Sequence, residues 1–157
     1  MRVQPRTDEK KSREVSRAWC VYILESEPDD DGKVETYGGC TNKRPEKRQA
    51  VHNRPSNTCK STRDRQWRLV AYVTGFGEGR KKTADGAKSA IYARTLRFEW
   101  HLRKRKRMVA SRRRPGTKRS KWVLLPRTRP IHLRLGDARA LLAKPEWRDL
   151  TLHLVDN

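Results

Sequence analysis

The sequence predicts an α+β fold, a small sandwich of the α/β type in which helices flank a central antiparallel or mixed sheet of about three strands. Three short runs rich in aromatic and β-branched residues predict the strands: WCVYILE (19–25), VETY (34–37) and WRLVAYV (67–73). A Pro-started stretch after the second run and a long stretch without breakers after the third predict the helices. At 157 residues, the chain has the length of a single domain.

The first two predicted strands are joined by a turn, and a helix follows the second. The connecting segment EPDDDGK (27–33) is rich in turn-forming residues, so we expect these strands to pair as a hairpin. Pro45 suits the first turn of a helix, where a backbone N–H would have no partner, and the helix should run to about Asn53. A polar loop (54–66) then leads to the third strand.

The segment KSAIYARTLRFEWHLRKRKR (88–107), after the glycine-punctuated basic loop GFGEGRKKTADG (75–86), is predicted to form the longest helix. The alternative is a strand, because four apolar residues alternate with polar ones: Leu96, Phe98, Trp100 and Leu102. We favour the helix, since the span from Gly86 to Pro115 is uninterrupted, too long for one strand and rich in helix-forming residues.

The rest of the chain combines a basic run with an apolar tail. Eleven Lys or Arg and no acid lie between Arg103 and Lys121, which predicts that the helix ends there and a solvated linker follows. The tail predicts a helix around 137–144 and an alternating strand at 150–155. These patterns divide the chain into a flexible arm (1–17), a core (18–110), a basic linker (111–121) and a C-terminal extension packed on the core (122–157).

The charge indicates a polyanionic partner. The chain has 39 Lys+Arg and 18 Asp+Glu, which gives a net charge of +21. Positive groups at this density repel one another, and a polyanion offsets that repulsion, so nucleic acid is the first candidate for a partner. No apolar stretch could span a bilayer and the first residues lack a signal peptide's apolar segment, so we expect an intracellular protein without a membrane partner, in the nucleus or in the nucleoid or cytoplasm of its host. Three cysteines without a CxxC pair, Cys20, Cys40 and Cys59, argue against a disulfide framework and a structural zinc.

Glu99 is the first candidate for chemistry. On a helical wheel it shares the face that should point to the core with Tyr92, Thr95, Leu96 and Leu102. A carboxylate there needs a partner, because burying an unpaired charge is costly. The plainer interpretation is a salt bridge to one of the many arginines. The other is a metal ligand, since one carboxylate with waters and phosphate oxygens commonly holds Mg²⁺.

Two tyrosines and two glycines lie on the first hairpin. Tyr22 and Tyr37 fall on strands that should pair, so they should be neighbours in space. Taken singly, each tyrosine is explained as well by core packing with a satisfied hydroxyl. Gly38 and Gly39 remove side-chain bulk directly after Tyr37, which would let another backbone or a phosphate approach closely.

Arg48 and His52 are four residues apart on the short predicted helix and share one face, although a surface pair of this kind is usually just solvated. The order of all these features along the chain resembles the GIY-YIG nuclease superfamily. CVY (20–22) and YGG (37–39) stand at the two tyrosine motifs of that family. Arg48 matches its arginine, and Glu99 matches its metal-binding glutamate.

Within that superfamily the sequence is similar to the catalytic subunit of the Slx structure-specific endonucleases. The similar segments are GCTN and KRQAVHN (39–53), WRLVAYVTGF (67–76), LRFEW (96–100), and LRLGDARALL with EWRDLTLHLV (133–155). The resemblance covers about residues 19–155, but Cys20 replaces a glycine of the first motif and the loop before the Glu99 helix is longer. Slx nucleases also carry a zinc-binding RING-type domain, for which this sequence has no ligands, so no structural zinc is expected.

The resemblance implies a GIY-YIG nuclease core at 18–110 that hydrolyses branched DNA (flaps, forks, four-way junctions) in repair or recombination, with Mg²⁺ or Mn²⁺ as cofactor. In the family's scheme, Glu99 holds the metal and Arg48 clamps a phosphate oxygen. Tyr22 positions the attacking water or takes its proton, for which a cation must lower its pKa, and Tyr37 orients the phosphate. His52 would assist proton transfer, and the glycines would admit the phosphate.

Basic residues around this core are expected to hold the DNA backbone, which gives affinity and salt dependence without sequence recognition. They are Lys43, Arg44, Lys47, Lys60, Arg63, Arg65, Arg68, Arg80, Lys81, Lys82, Arg103 and Lys104. The run 103–121 would track the duplex, or serve as a nuclear-localisation or linker segment. The protein partners considered are a second copy of the chain and a scaffold protein. Two alternatives stay open: a non-catalytic basic nucleic-acid-binding protein, and a sequence-specific homing or restriction nuclease on the same fold.

Overall fold

The structure, a computed structural model, describes residues 18–103, 106–112, 118–124 and 129–156, so the predicted arm (1–17) lies outside the described residues. The strands and helices follow in this order: β1 (Cys20–Ser26), β2 (Thr36–Thr41), α1 (Pro45–His52), β3 (Trp67–Thr74), α2 (Ala90–Arg103), β4 (Lys106–Arg112), β5 (Lys118–Leu124), α3 (Ile131–Leu142) and β6 (Thr151–Leu154). The predicted α+β class is confirmed. Among the described residues, no helix has both the length and the apolar character that a membrane crossing requires.

Four antiparallel strands form the central sheet, in the order β2-β1-β3-β6. The predicted hairpin of the first two strands is confirmed, with Val21 opposite Cys40 and Leu24 opposite Tyr37. β1 is buried along its whole length because it lies between two strands and has packed side chains on both faces. The C-terminal strand predicted at 150–155 is β6, and it gives the sheet one strand more than expected.

The two faces of the sheet pack against different helices, because successive side chains of β1 point to opposite sides. On one face, apolar residues of β1, α2 and α3 form the larger core, which includes Val21, Ile23, Phe98, Leu102 and Ala138. On the other face lies a smaller cluster of Tyr22, Leu24, Trp67 and Leu69. α1 covers this second face, where Gln49 donates a hydrogen bond to the carbonyl of Trp67.

The long helix α2 is confirmed, and the alternative of a strand at 96–102 is excluded. α2 buries Thr95, Phe98, Glu99 and Leu102, which recur every three to four residues. Trp100 is 60% exposed, although a strand would have placed it beside Phe98 and Leu102. The helix ends at Arg103 rather than at 107.

The basic run after α2 is not the structureless linker that the sequence predicted. β4 and β5 pair there as a separate antiparallel hairpin, in which Met108 lies opposite Trp122. Apolar and β-branched residues such as Val109 and Val123 are placed between the basic ones and favour strands. The count of charges concealed this pattern, so the prediction of a linker at 111–121 is wrong at 111–112 and 118–121.

The C-terminal segment fixes the position of α2. α3 begins at Ile131, earlier than the predicted helix around 137–144. Its buried Arg134 donates from Nη1 to the carbonyl oxygen of Leu102 at 2.6 Å and from Nε to Thr36 Oγ1 at 3.3 Å. A cation is favourable at the C-terminal end of a helix, where carbonyl groups lack partners. Arg134 thereby joins the last turn of α2, the helix that carries Glu99, to β2.

Candidate active site

The candidate site lies where β1, β2, α1 and α2 meet. Tyr22 and Tyr37 project to the same face of the sheet, because Tyr22 lies opposite Gly39 and Leu24 lies opposite Tyr37. The centroids of the two phenol rings are 6.3 Å apart, so their predicted proximity is confirmed. The imidazole of His52 approaches both rings, with its centroid 5.3 Å from that of Tyr37.

A buried chain of hydrogen bonds runs from α1 through Tyr22. Arg48 Nε donates to Tyr22 Oη at 3.4 Å, and Tyr22 Oη lies 2.9 Å from His52 Nε2. His52 Nδ1 in turn lies 2.7 Å from Thr62 Oγ1. Because Arg48 already donates to the phenol oxygen, we assign the Tyr22 hydroxyl as the donor to His52 Nε2. His52 Nδ1 then carries the ring proton and donates to Thr62 Oγ1. The chain therefore leads from a guanidinium on α1 to a neutral imidazole.

Burial sets the protonation states in this chain. It raises the pKa of Tyr22 from 10.0 to about 12, although the hydrogen bond from Arg48 lowers it. Burial and the charge of Arg48 lower the pKa of His52 from 6.5 to about 4, and burial raises the pKa of Tyr37. Both phenols are therefore protonated and His52 is neutral at pH 7. The cation expected to lower the pKa of Tyr22 is present, but burial outweighs it.

The two glycines make room for side chains of the site itself. A Cβ placed on Gly39 would lie 2.6 Å from Cζ of Tyr22 and closer still to its hydroxyl. A Cβ on Gly38 would lie 3.3 Å from Cγ of Arg103. The close approach at these glycines is thus made by the phenol of Tyr22 and the aliphatic stem of Arg103, rather than by another backbone. The approach of a phosphate stays a prediction.

Glu99 lies inward, as predicted, and it is also paired. The residue is 9% exposed, and its Oε1 accepts a hydrogen bond from Nη1 of Arg103 at 2.9 Å. The guanidinium of Arg103 lies over the ring of Tyr37, with Cζ 5.3 Å from the centroid. Burial and the charge of Glu99 raise the pKa of the Cys40 thiol to about 12. Arg103 therefore connects Glu99 to the tyrosines.

The surroundings of Glu99 fit a magnesium-type site with one protein ligand. Mg²⁺ is commonly held by one or two carboxylates, with waters and phosphate oxygens in its other positions. In the part of the chain that the structure describes, no three His, Cys, Asp or Glu side chains come together as a metal site. Glu99 would hold the ion through its carboxylate. Arg103 already donates to Oε1 of this group, so its positive charge opposes a cation at the same carboxylate.

The predicted DNA-binding residues fall into two groups. Four arginines are engaged with carboxylates: Arg63 with Asp64, Arg65 with Asp29 and Glu35, Arg68 with Glu25, and Arg103 with Glu99. Seven others are exposed at the start of α1, on the loop after it and on the loop before α2: Lys43, Arg44, Lys47, Lys60, Arg80, Lys81 and Lys82. Lys104 lies outside the described residues. The exposed group is better suited to phosphates, because carboxylates offset the charge of the other arginines.

Sequence reasoning missed two contributors to the site. Arg103 was assigned to DNA alone, although its position four residues after Glu99 is a common spacing for helical ion pairs and could have indicated the contact. Thr62, which is fully buried beneath His52, lies in a polar loop where no periodicity marks it. Asn57 also donates to its hydroxyl, at 3.0 Å.

The family comparison matches this arrangement. Residues 18–114 match the GIY-YIG catalytic domain, a range that includes β1, β2, α1 and α2 with all five of the predicted catalytic residues. No curated protein matches the sequence significantly. The matched range is more than half of the chain, and the antiparallel sheet with its helices is consistent with the fold of this family. The chain therefore belongs to the GIY-YIG family of nucleases.

Proposed function

We propose that this protein is a metal-dependent endonuclease that hydrolyses phosphodiester bonds in branched DNA, in the manner of the Slx endonucleases. The observation that carries the proposal is the meeting of Tyr22, Arg48 and His52 in one hydrogen-bonded chain, with Arg103 joining the neighbouring Tyr37 to Glu99. Core packing would explain each tyrosine alone. It does not explain two guanidinium groups and a buried carboxylate around them.

The two arginines would bind the phosphate. Arg48 uses Nε for Tyr22, and its other N–H groups suit two oxygens of one phosphate because guanidinium donors form a rigid fork. Arg103, once released from Glu99, can turn to the same phosphate from the other side of Tyr37. A divalent cation, Mg²⁺ or Mn²⁺, when bound to Glu99, supplies Lewis-acid stabilisation of charge at the phosphate and the leaving oxygen.

The buried hydrogen-bond chain offers a route for the proton of the attacking water. Tyr22 Oη would accept this proton while it passes its own proton to Nε2 of His52. His52 can take it because the imidazole is neutral at pH 7. Thr62, which accepts from Nδ1, holds the ring in the required tautomer. This relay needs no phenolate before the reaction, so it is compatible with the raised pKa of Tyr22.

The preference for branched DNA is supported by the similarity to Slx segments and by the charge. Exposed Lys and Arg side chains that contact phosphates respond to the shape of the DNA backbone, and their contribution to affinity depends on salt concentration. They do not read the base sequence. A sequence-specific nuclease on the same fold remains the second candidate, since its catalytic residues would be the same. In a DNA-binding protein without catalytic activity, the positive charge would have a role, but the hydrogen-bonded chain of Arg48, Tyr22 and His52 would have none.

The deciding experiment compares labelled flap, fork and four-way junction substrates with a linear duplex of the same length, in Mg²⁺ and in EDTA. We expect metal-dependent cleavage of branched DNA about tenfold faster than of linear DNA. Glu99→Gln should lower the cleavage rate by roughly a hundredfold or more while DNA binding persists. Glu27→Gln, which removes an exposed carboxylate elsewhere, is the matched control.

Each alternative predicts a different result. DNA binding without cleavage by the unmodified protein would favour the non-catalytic binder. Cleavage of linear duplex at one site, with no advantage for junctions, would favour the sequence-specific nuclease. A Glu99→Gln rate equal to that of the control would remove the role assigned to the carboxylate.

A further inference from the structure

A cleft of about 250 Å³ opens beside the candidate active site. Its lining comes from α1, the end of β2, the start of α2 and the loop before α2. Four cations are among the lining residues, Lys43, Lys47, Arg48 and Lys81, and none of the lining residues is an acid. Cations gathered around so small a space repel one another, so the cleft favours an anionic occupant.

The cleft is continuous with the catalytic residues through Arg48. This guanidinium lines the cleft while its Nε donates to Tyr22 Oη. Burial and the nearby charge of Glu99 raise the pKa of the thiol of Cys40, which also lines the cleft. An anion in the cleft would therefore lie next to the phosphate held at Arg48. Consecutive phosphates of a DNA strand are close neighbours, so the adjacent phosphate is the natural candidate.

The wall of the cleft includes an aromatic surface. Tyr92 is half-buried and packs on Trp19, with ring centroids 4.6 Å apart and an angle of 38° between the rings. Trp19 is almost wholly buried and supports the phenol. Nζ of Lys81 lies 5.8 Å from the centroid of Tyr92. A supported aromatic ring beside cations is the arrangement on which proteins stack unpaired bases.

The loop at 77–90, an insertion by the resemblance to the Slx nucleases, contributes Lys81 to one side of this cleft. Trp19 fastens the loop, since Nε1 donates to the carbonyl of Gly79 and the backbone N–H donates to that of Gly77, both at 2.9 Å. Ser89 Oγ closes the base of the loop by donating to the carbonyl of Arg80 at 2.7 Å. These contacts hold Lys81 against Tyr92 and give the insertion a defined place in the structure.

We propose that this cleft binds the nucleotide next to the cleaved phosphodiester, with its phosphate among Lys43, Lys47 and Lys81 and its base against Tyr92. The volume lies just below the roughly 300–1,000 Å³ of drug-sized sites, so it suits one nucleotide. A base can stack there only when it is unpaired, which is the state of a nucleotide at a branch. The position beside the cleavage site rests on the proposed nuclease function, whereas binding itself needs neither metal nor Glu99.

The test is calorimetric titration of the protein with thymidine 3′,5′-bisphosphate in EDTA. Glu99→Gln should bind at least as tightly as the unmodified protein, because it loses a negative charge and releases Arg103. The double variant Lys47→Gln/Lys81→Gln should bind at least about tenfold more weakly, because each lysine contributes a charge-assisted contact. Lys88→Gln/Lys144→Gln removes the same charge from exposed positions outside the lining and should bind as the unmodified protein does.

The aromatic wall is tested with a second ligand, 2-deoxyribose 3,5-bisphosphate, which lacks the base. Tyr92→Leu should weaken binding of the thymidine compound roughly tenfold and leave the abasic compound unchanged, while Tyr92→Phe keeps the ring and should bind both normally. Equal affinities for the two lysine double variants, or an equal loss for both ligands in Tyr92→Leu, would overturn the proposal.

Cleavage assays on the same preparations separate the two proposals. If the protein cuts flaps but binds the bisphosphate outside the cleft, the subsite is wrong and the nuclease function stands. If the bisphosphate binds as predicted but no DNA is cut in Mg²⁺, the nuclease function is wrong and the cleft remains a nucleotide site.

Discussion

Gly39 is tightly constrained by its surroundings, because the hydroxyl of Tyr22 occupies the space of a side chain there. In Gly39→Ala, either the phenol or β2 must shift, and the bond between Tyr22 and His52 is strained or lost. We expect a free energy of unfolding lower by about 1–3 kcal/mol, as for overpacked cores. Flap cleavage should fall at least about tenfold. Urea unfolding and initial rates measure the two effects.

The matched control is Gly136→Ala, because Gly136 lies in α3 with nothing within 4 Å of a new Cβ. That change should stabilise the protein by about 0.5–1 kcal/mol, since alanine favours a helix. A Gly39→Ala protein as stable and active as Gly136→Ala would show that Tyr22 is not confined by the glycine.

Arg103 is the residue that would oppose a metal at Glu99. The guanidinium already pairs with Oε1 of the carboxylate, so its positive charge would repel a divalent cation bound there. Arg103→Gln should therefore bind Mn²⁺ more tightly than the unmodified protein, by roughly threefold to tenfold for loss of one half-exposed ion pair. Electron paramagnetic resonance of free Mn²⁺ in DNA-free protein measures this affinity.

Arg97→Gln is the control for the Arg103 change, because Arg97 is exposed on the same helix. It lowers the net charge equally and should leave Mn²⁺ affinity nearly unchanged. Weaker Mn²⁺ binding by Arg103→Gln than by Arg97→Gln would show that Arg103 supports the metal site. In that case the guanidinium would position Glu99 instead of competing for it.

At the scale of elements, α1 should give the protein a pH-dependent stability through His52. The pKa of His52 is lowered to about 4 in the folded chain and returns to about 6.5 on unfolding. Below pH 6.5 the unfolded chain therefore binds a proton that the folded chain does not, so stability is full above pH 6.5 and falls toward pH 4. The loss from this group is roughly 3 kcal/mol.

The measurement is urea unfolding at several pH values between 4 and 7. His52→Gln removes the titrating group, so the free energy of unfolding should depend less steeply on pH in this window, whatever its absolute value. Other groups titrate equally in both proteins and cancel in the comparison. Identical pH slopes would show that the pKa of His52 is the same in the folded and unfolded chains.

The elements that the sequence predicted well are those with a strong local pattern. The hairpin of β1 and β2, and the inward position of Glu99 on α2, follow from periods of two and 3.6 residues. The hairpin β4–β5 was missed because charges interrupt its apolar residues. The place of Thr62 beneath His52 depends on the fold of a polar loop, which carries no periodic signal.

At the scale of the whole molecule, the net charge is +21. Its positive side chains have two possible uses, which are contact with DNA phosphates and ion pairs within the protein. Arg68 shows the internal use, because its Nε donates to Glu25 Oε2 at 2.9 Å. Arg80 is available for the other use, because it is exposed on the loop before α2. Counting cations alone therefore overstates the number of phosphates that the protein can contact.

This difference predicts how salt weakens DNA binding. The slope of log K against log salt concentration counts the phosphates neutralised, so Arg80→Gln should reduce it by about 1. Arg68→Gln removes an equal charge, but the slope should stay nearly unchanged, because Glu25 already holds that guanidinium. Fluorescence anisotropy on a flap substrate at several salt concentrations, without metal, measures both. An equal reduction in the two variants would mean that DNA draws Arg68 away from Glu25, and that internal pairing does not limit the contact surface.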